Sequence, residues 1–148
     1  MKPSTKAELA LNGMVNLARH VPAKPISLVV LAEEQSISLS YLEQIFATLR
    51  RSGLVLSVRG PGGGYLLARP AGSISTGDII DAIDEISAGN LRPTGKEQLS
   101  TSGRAQQFWL VMRLQILELF RQVTLQDILD GSFQRLEYPD ESTSHAAE

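Results

Sequence analysis

Residues 40–65 read SYLEQIFATLRRSGLVLSVRGPGGGY, and the rhythm of this stretch changes once, at Gly53. Before that point Leu42, Ile45, Phe46 and Leu49 fall at i, i+3, i+4 and i+7, the spacing that lays one apolar stripe along a helix. Ser40 followed by Glu43 has capping-box spacing, in which each side chain satisfies an amide left orphaned at a helix start, so the helix is expected to open at Ser40. Arg50 and Arg51 occupy the last turn, where cations suit the dipole, and Gly53 supplies a left-handed stop. The face opposite the stripe carries Ser40, Glu43, Gln44, Ala47 and Arg51, all small, polar or able to hydrogen-bond. Beyond Gly53, residues 54–59 and 65–69 are short aliphatic and aromatic runs closed by Pro70, which predicts two strands. Residues 60–64, Gly-Pro-Gly-Gly-Gly, make a hairpin tip almost without side chains, flanked by Arg59.

A helix followed by a bare-tipped hairpin is the layout of a winged helix-turn-helix, in which the helix enters the DNA major groove and the wing lies along the backbone or the minor groove. The net charge of −2 over 148 residues conceals a segregation. Residues 1–70 hold eight Lys/Arg against four acids, a balance of +4, while the rest hold six against twelve, a balance of −6. The positive half coincides with the helix and hairpin.

Upstream, a first helix is expected over residues 4–20. Its stripe is Ala7, Ala10, Leu11, Met14, Leu17, Ala18 and Val21, and Pro22 closes it. Lys6 near its start is placed to reach a phosphate or simply to stay in solvent. A second helix follows Pro25, with Ser27 as its cap and Leu28, Leu31 and Ala32 facing inward; residues 35–38 form the turn into the Ser40 helix around a buried Ile37. Downstream, Ser75-Thr76-Gly77-Asp78 opens a fourth helix that packs Ile79, Ile80, Ile83 and Ile86 inward, and its Asp78, Asp81, Asp84 and Glu85 read as a solvated face. Residues 87–103, SAGNLRPTGKEQLSTSG, read as a loop. Residues 104–123 are apolar around nearly the whole helical circumference, and such a helix must be covered on several sides. Either it dimerises the chain, through Trp109, Met112, Ile116, Leu119 and Phe120, or it is the central core helix of a monomer. A short helix containing Ile128 and Leu129 follows, and residues 132–148 form a polar tail.

Gln44 has the side chain that pairs bidentately with adenine, and Glu43 can accept from a cytosine amino group or serve only as the cap partner. Arg50 and Arg51 suit phosphates. A glycine loop can also cradle nucleotide phosphates, but that use needs a helix start directly after it, and here YLLARP follows, without the Lys-Ser/Thr of a P-loop. The tip is read as a close approach to DNA, with Arg59 in the minor groove, or as a plain turn. Cysteine is absent and only His20 and His145 are present, so no catalytic triad, thiolate metal site or disulfide can be assembled, and no enzyme is expected. No apolar run reaches membrane-spanning length and no signal-peptide core is read at the N-terminus, so no membrane association and a cytoplasmic location are expected.

Residues 37–46 (ISLSYLEQIF), 53–67 (GLVLSVRGPGGGYLL) and 77–80 (GDII) closely resemble the Rrf-two family of bacterial transcription regulators, and the resemblance covers roughly residues 1–130. It implies a homodimer joined through the long helix and bound to partly palindromic double-stranded operators. It implies base reading by Ser40, Glu43 and Gln44, minor-groove contact by Arg59, and backbone contacts at Ser38, Tyr41, Gly60 and Pro61. Cluster-binding members carry cysteines and a histidine in the segment that is 87–107 here. This chain offers Arg92, Gln98, Gly103 or Arg104, and Gln106 or Gln107 instead, and arginine and glutamine do not replace thiolates. Some relatives recruit ligands from the first helix, where Glu8 is present but Asn12 stands in place of a histidine.

The expected fold is therefore mainly α with a small β-hairpin wing. Residues 1–86 form the winged helix-turn-helix domain, 87–103 the loop matching the family's cluster segment, 104–131 the dimerisation helix with a short C-terminal helix, and 132–148 the tail. The expected function is sequence-specific regulation of transcription as a repressor, without a metal or iron–sulfur cluster. Its input is constitutive binding, a small-molecule effector between the winged domain and the long helix, or a regulatory protein partner. The competing reading is a winged-helix interaction module that scaffolds a partner.

Overall fold

In a computed structural model of the chain, the structure describes residues 2–20, 24–87 and 101–135. Expectations for Val21 and Pro22, for residues 88–100 and for residues 136–148 lie outside the described residues. The order is α1 (Thr5–Arg19), α2 (Leu28–Gln35), α3 (Leu39–Arg51), β1 (Val55–Val58), β2 (Gly64–Leu67), a 3-10 turn (Ala71–Ser73), α4 (Thr76–Asp84), α5 (Thr101–Arg121), α6 (Leu125–Asp130) and a closing 3-10 turn (Ser132–Arg135).

Hydroxyl caps start α1, α2, α3, α4 and α6. Ser4, Ser27 and Ser38 accept from the amides of Ala7, Val29 and Tyr41 at 3.1, 3.2 and 3.2 Å. Ser75 with Asp78 and Thr124 with Asp127 form complete capping boxes. Each cap contributes about 1 kcal/mol. The expected Ser40–Glu43 box is corrected: Ser38 is the cap and Ser40 lies inside α3. The reason is the brevity of the turn. Ser36 closes α2 in the left-handed conformation, the Ile37 amide donates back to the Ala32 carbonyl at 3.1 Å, and Ser38 is then the first extended residue. Ile37 is half-buried rather than fully buried.

One core joins Met14 and Leu17 of α1, Leu31 of α2, the α3 stripe Leu42, Ile45, Phe46 and Leu49, Val55 of β1, Ile74, Ile79 of α4 and Leu125 of α6. The α3 stripe is completely buried. Leu125 and the packing of α6 on α1 make the C-terminal helix part of the winged module. Of the four isoleucines expected to face inward from α4, Ile79 and Ile80 are buried, Ile83 is half-buried, and Ile86 lies past the helix end at Asp84, also half-buried.

The aspartates of α4 are fasteners, which corrects their reading as a solvated face. Asp78 completes the cap box, and Asp84 accepts from the amide and hydroxyl of Ser4, tying the start of α1 to the end of α4. Asp81 accepts from Ser87 and pairs with Arg121 of α5 at 3.4 Å. The same seam fixes the end of α5. Thr76 donates its amide to Val123 at 2.7 Å and its hydroxyl to the Phe120 carbonyl at 2.6 Å, and a Cβ on Gly77 would lie 2.8 Å from the Arg121 nitrogen.

Two boundaries shift. α5 is helical from Thr101, so the loop expected over 87–103 ends earlier; Gly103, which reads as loop punctuation, is buried within the helix. The expected tail begins with the turn Ser132–Arg135, where the Ser132 hydroxyl donates to Asp127 Oδ1 at 3.2 Å.

Candidate nucleic-acid interface

The strands pair antiparallel with Val55 opposite Leu67 and Val58 opposite Gly64, leaving residues 59–63 as the tip. The Gly63 amide closes that tip on the Gly60 carbonyl at 2.9 Å. Two contacts then latch the wing to the helix-turn-helix. Tyr65 exchanges both backbone hydrogen bonds with Ile26, at 2.8 and 3.0 Å, and its ring stands edge-on to Phe46 with centroids 5.1 Å apart. Gly64 permits this approach: its φ is +150°, and a Cβ there would lie 2.7 Å from the Ser27 nitrogen and nearer still to the Ile26 carbonyl. The wing is thus held against the segment that precedes α2 and, through Phe46, against α3.

With its stripe buried, α3 presents Ser40, Glu43, Gln44, Arg50 and Arg51 to solvent, with Tyr41, Ala47 and Thr48 half-buried beside them. Arg51 donates to the Thr48 hydroxyl at 3.1 Å, and Thr48 donates to the Gln44 carbonyl at 3.2 Å. Arg50 reaches Ser57 on β1 at 3.5 Å, so it bridges the helix and the wing. Arg59, Gly60 and Pro61 are exposed at the tip, and Arg59 makes no ion pair or side-chain hydrogen bond among the described residues. Ser38 is exposed and spends its hydroxyl on the cap. Lys6 stands apart in the first turn of α1, the end that Ser4 fastens to Asp84. The roles of Thr48 and Ser57 as supports for the arginines, and of Ile26 as the wing's anchor, are absent from the sequence reading. The Thr48–Arg51 pair has a local signal in its i, i+3 spacing; the other two join positions that no short-range pattern relates.

A second surface lies on α5. Gly103, Leu110 and Leu117, seven residues apart, are its buried line. The opposite side is exposed in the single chain: Phe108, Trp109 and Leu119 keep 55%, 56% and 57% of their surface, and Val111 and Met112 are also exposed. Ile116 and Phe120 are half-buried at the edge of this face. The helix is therefore not apolar-packed all round; one side has an internal partner and the other has none among the described residues. Phe108 and Val111 extend the candidate contact set beyond the five residues named from sequence. Among the described residues no group of three or more His, Cys, Asp or Glu is placed to hold a metal ion, and no helix is long and apolar enough to cross a membrane.

Comparison with known proteins gives a consistent result. Residues 3–131 match the family model described as Rrf2 (Rrf-two), iron-dependent transcriptional regulator. The chain is similar to the HTH-type transcriptional regulator IscR of Citrobacter koseri, with 36% identity over 148 residues, 99% of this chain and 90% of that one. Among solved structures, T. potens IscR has a TM-score of 0.68 at 35% identity, covering 95% of this chain and 94% of that chain. CymR, the global cysteine regulator of B. subtilis, has a TM-score of 0.69 at 32% identity, covering 88% and 98%. These relatives are transcription regulators, not enzymes.

Proposed function

Because the chain belongs to the Rrf2 family of transcriptional regulators, we propose that it acts as a homodimeric repressor whose two copies each place α3 in a major groove and the wing tip against the neighbouring minor groove. The observation that carries this reading is the latch. Tyr65 on Phe46 and Ile26, with Arg50 across to Ser57, holds the wing at a set position beside a helix whose outer face is exposed and polar. Gln44 then supplies a bidentate pair for adenine and Glu43 an acceptor for a cytosine amino group, each discriminating by about 1–3 kcal/mol. Arg51 meets phosphate, and Arg59 enters the minor groove, where the bare glycine tip lets the backbone approach. Ser40 reads bases beside them, Ser38, Tyr41, Gly60 and Pro61 contact the DNA backbone around these positions, and Lys6 adds a phosphate contact from α1.

Dimerisation follows from the uncovered side of α5. Trp109, Met112, Ile116 and Leu119 alternate in steps of three and four, the spacing of a knobs-into-holes seam, and Phe120 flanks it. A second copy of the same helix covers that seam with closed symmetry. The alternative, that this face seats a different protein and the winged module is a scaffold, draws on the same exposed side chains.

The family description includes iron, yet the donors in this chain do not fit an iron–sulfur cluster. There is no cysteine anywhere in the sequence, and the described residues assemble no alternative set of ligands. The regulator is therefore proposed to work without a conventional cluster and to take its input from a small molecule or a partner protein, or to bind constitutively. Sedimentation of the purified protein alone and with duplex DNA carrying a selected site tests the reading. Two chains per particle and two per duplex are expected; a monomer that ignores DNA would overturn it.

A further inference from the structure

An apolar hollow lies away from both surfaces above. It is a cleft of about 520 Å³ between the end of α1, the rear of β2 and the start of the chain segment that leads to α4, with α6 at its edge. Its size falls in the range of small-molecule sites, and its make-up is that of one: an apolar floor with a few polar groups at the rim. Leu17, Leu66 and Leu67 form the floor, and His20, Lys24 and Arg69 stand around it. Among the described residues the lining holds no carboxylate and no Phe, Tyr or Trp. Lys24 is exposed and makes no ion pair or side-chain hydrogen bond among the described residues, and Arg69 meets its nearest carboxylate, Asp78, only at 3.8 Å.

We propose that this cleft binds an aliphatic carboxylate, with the hydrocarbon body on the leucine floor and the carboxylate between Lys24 and Arg69. Charge sets the sign of the ligand, because the described rim residues include Lys24 and Arg69 with no acid among them. The floor sets its body: without an aromatic platform there is nothing to stack a nucleobase, whereas branched side chains suit a flexible hydrocarbon. Position gives the site its consequence. Leu66 and Leu67 belong to the strand whose other end, Gly64 and Tyr65, carries the wing tip and its latch, so an occupant presses on the element that positions Arg59. That consequence rests on the DNA-binding reading; the binding itself does not.

Calorimetric titration of the full chain with sodium octanoate, 1-octanol and octylamine tests the proposal, with amide chemical shifts recorded alongside. Octanoate is expected to bind once per chain and to shift the amides of Leu17, Leu66, Leu67 and Ala68. 1-Octanol, which cannot form the charge-assisted bonds, should bind about ten-fold more weakly or less, and octylamine not at all. The double substitution Lys24→Gln, Arg69→Gln changes two exposed side chains and should weaken octanoate about ten-fold or more while leaving DNA affinity unchanged. Equal binding of octanoate and octanol, shifts centred on α5 instead of β2, an undiminished affinity in the double variant, or a loss of its DNA affinity would each overturn the proposal.

Discussion

Replacing Gly64 with alanine adds one methyl group, and the structure says how much that disturbs. The residue sits at φ +150°, where a side chain is strained by about 1–3 kcal/mol. The new Cβ would also lie 2.7 Å from the Ser27 nitrogen, with the Ile26 carbonyl nearer still, and these are backbone atoms that cannot swing aside. To make room the segment at Ile26 must draw away from β2. That breaks the pair of hydrogen bonds between Ile26 and Tyr65, at 2.8 and 3.0 Å, each worth about 1 kcal/mol, and loosens the Phe46–Tyr65 ring contact, worth about 0.5–1.5 kcal/mol. Together the loss is about 3.5–6.5 kcal/mol, a large part of the stability of a domain this size. The internal control is Gly62→Ala, at φ +71° with nothing within 4 Å of the added Cβ, where only local strain of about 1–2 kcal/mol is expected. Urea unfolding of the two variants measures the difference, and faster hydrogen exchange at the Tyr65 and Ile26 amides in Gly64→Ala locates it. If Gly64→Ala proved no less stable than Gly62→Ala, the latch between wing and helix-turn-helix would be refuted.

Other consequences are as direct. Glu43 is free of any capping role because Ser38 holds it, so Glu43→Ala should leave thermal stability unchanged and broaden the set of duplexes bound in a gel-shift series; unchanged selectivity would remove Glu43 from base reading. Leu119→Glu sets a charge in the uncovered seam of α5 and should shift the chain to monomer in sedimentation at micromolar concentration, whereas a persistent dimer would place the interface elsewhere. Gln35 has its amide nitrogen and oxygen buried without a hydrogen-bond partner among the described residues, so Gln35→Met should stabilise the fold by about 1 kcal/mol in urea unfolding; a loss of stability would show that an ordered water satisfies the amide.

The parts of this molecule that were legible in its sequence are those governed by short-range chemistry. The α3 stripe, the span of α1, the serine cap of α2, the hairpin after Gly53 and the glycine tip all follow from spacings of a few residues, and each stands in the structure within a residue or two of its expected place. What escaped was decided at a distance. Ser40 and Ser38 are equally good caps on local grounds, and only the closing bonds of α2 choose between them. The aspartates of α4 look like a wetted helix face until Ser4, some eighty residues earlier in the chain, and Arg121, forty later, arrive to bind them. Gly103 reads as a break because glycine is a poor helix former, yet in α5 it is buried within the helix. On the candidate interface, the exposed stripe of α3 could be read from periodicity alone. The latch that places Arg59 beside it could not, because Ile26 and Tyr65 meet only in the folded chain.

The central claim is that α3 and the wing of two copies together grip duplex DNA. Selection of binding sites from a random duplex pool, using the purified protein without added iron, tests it most directly, with the Gln44→Ala, Arg59→Ala double variant run in parallel. The account predicts enriched sites made of two inversely related half-sites with centres about one helical turn or a multiple of it apart, and their loss in the double variant. A pool that remains unenriched, or a double variant that selects the same sites as the parent, would contradict it.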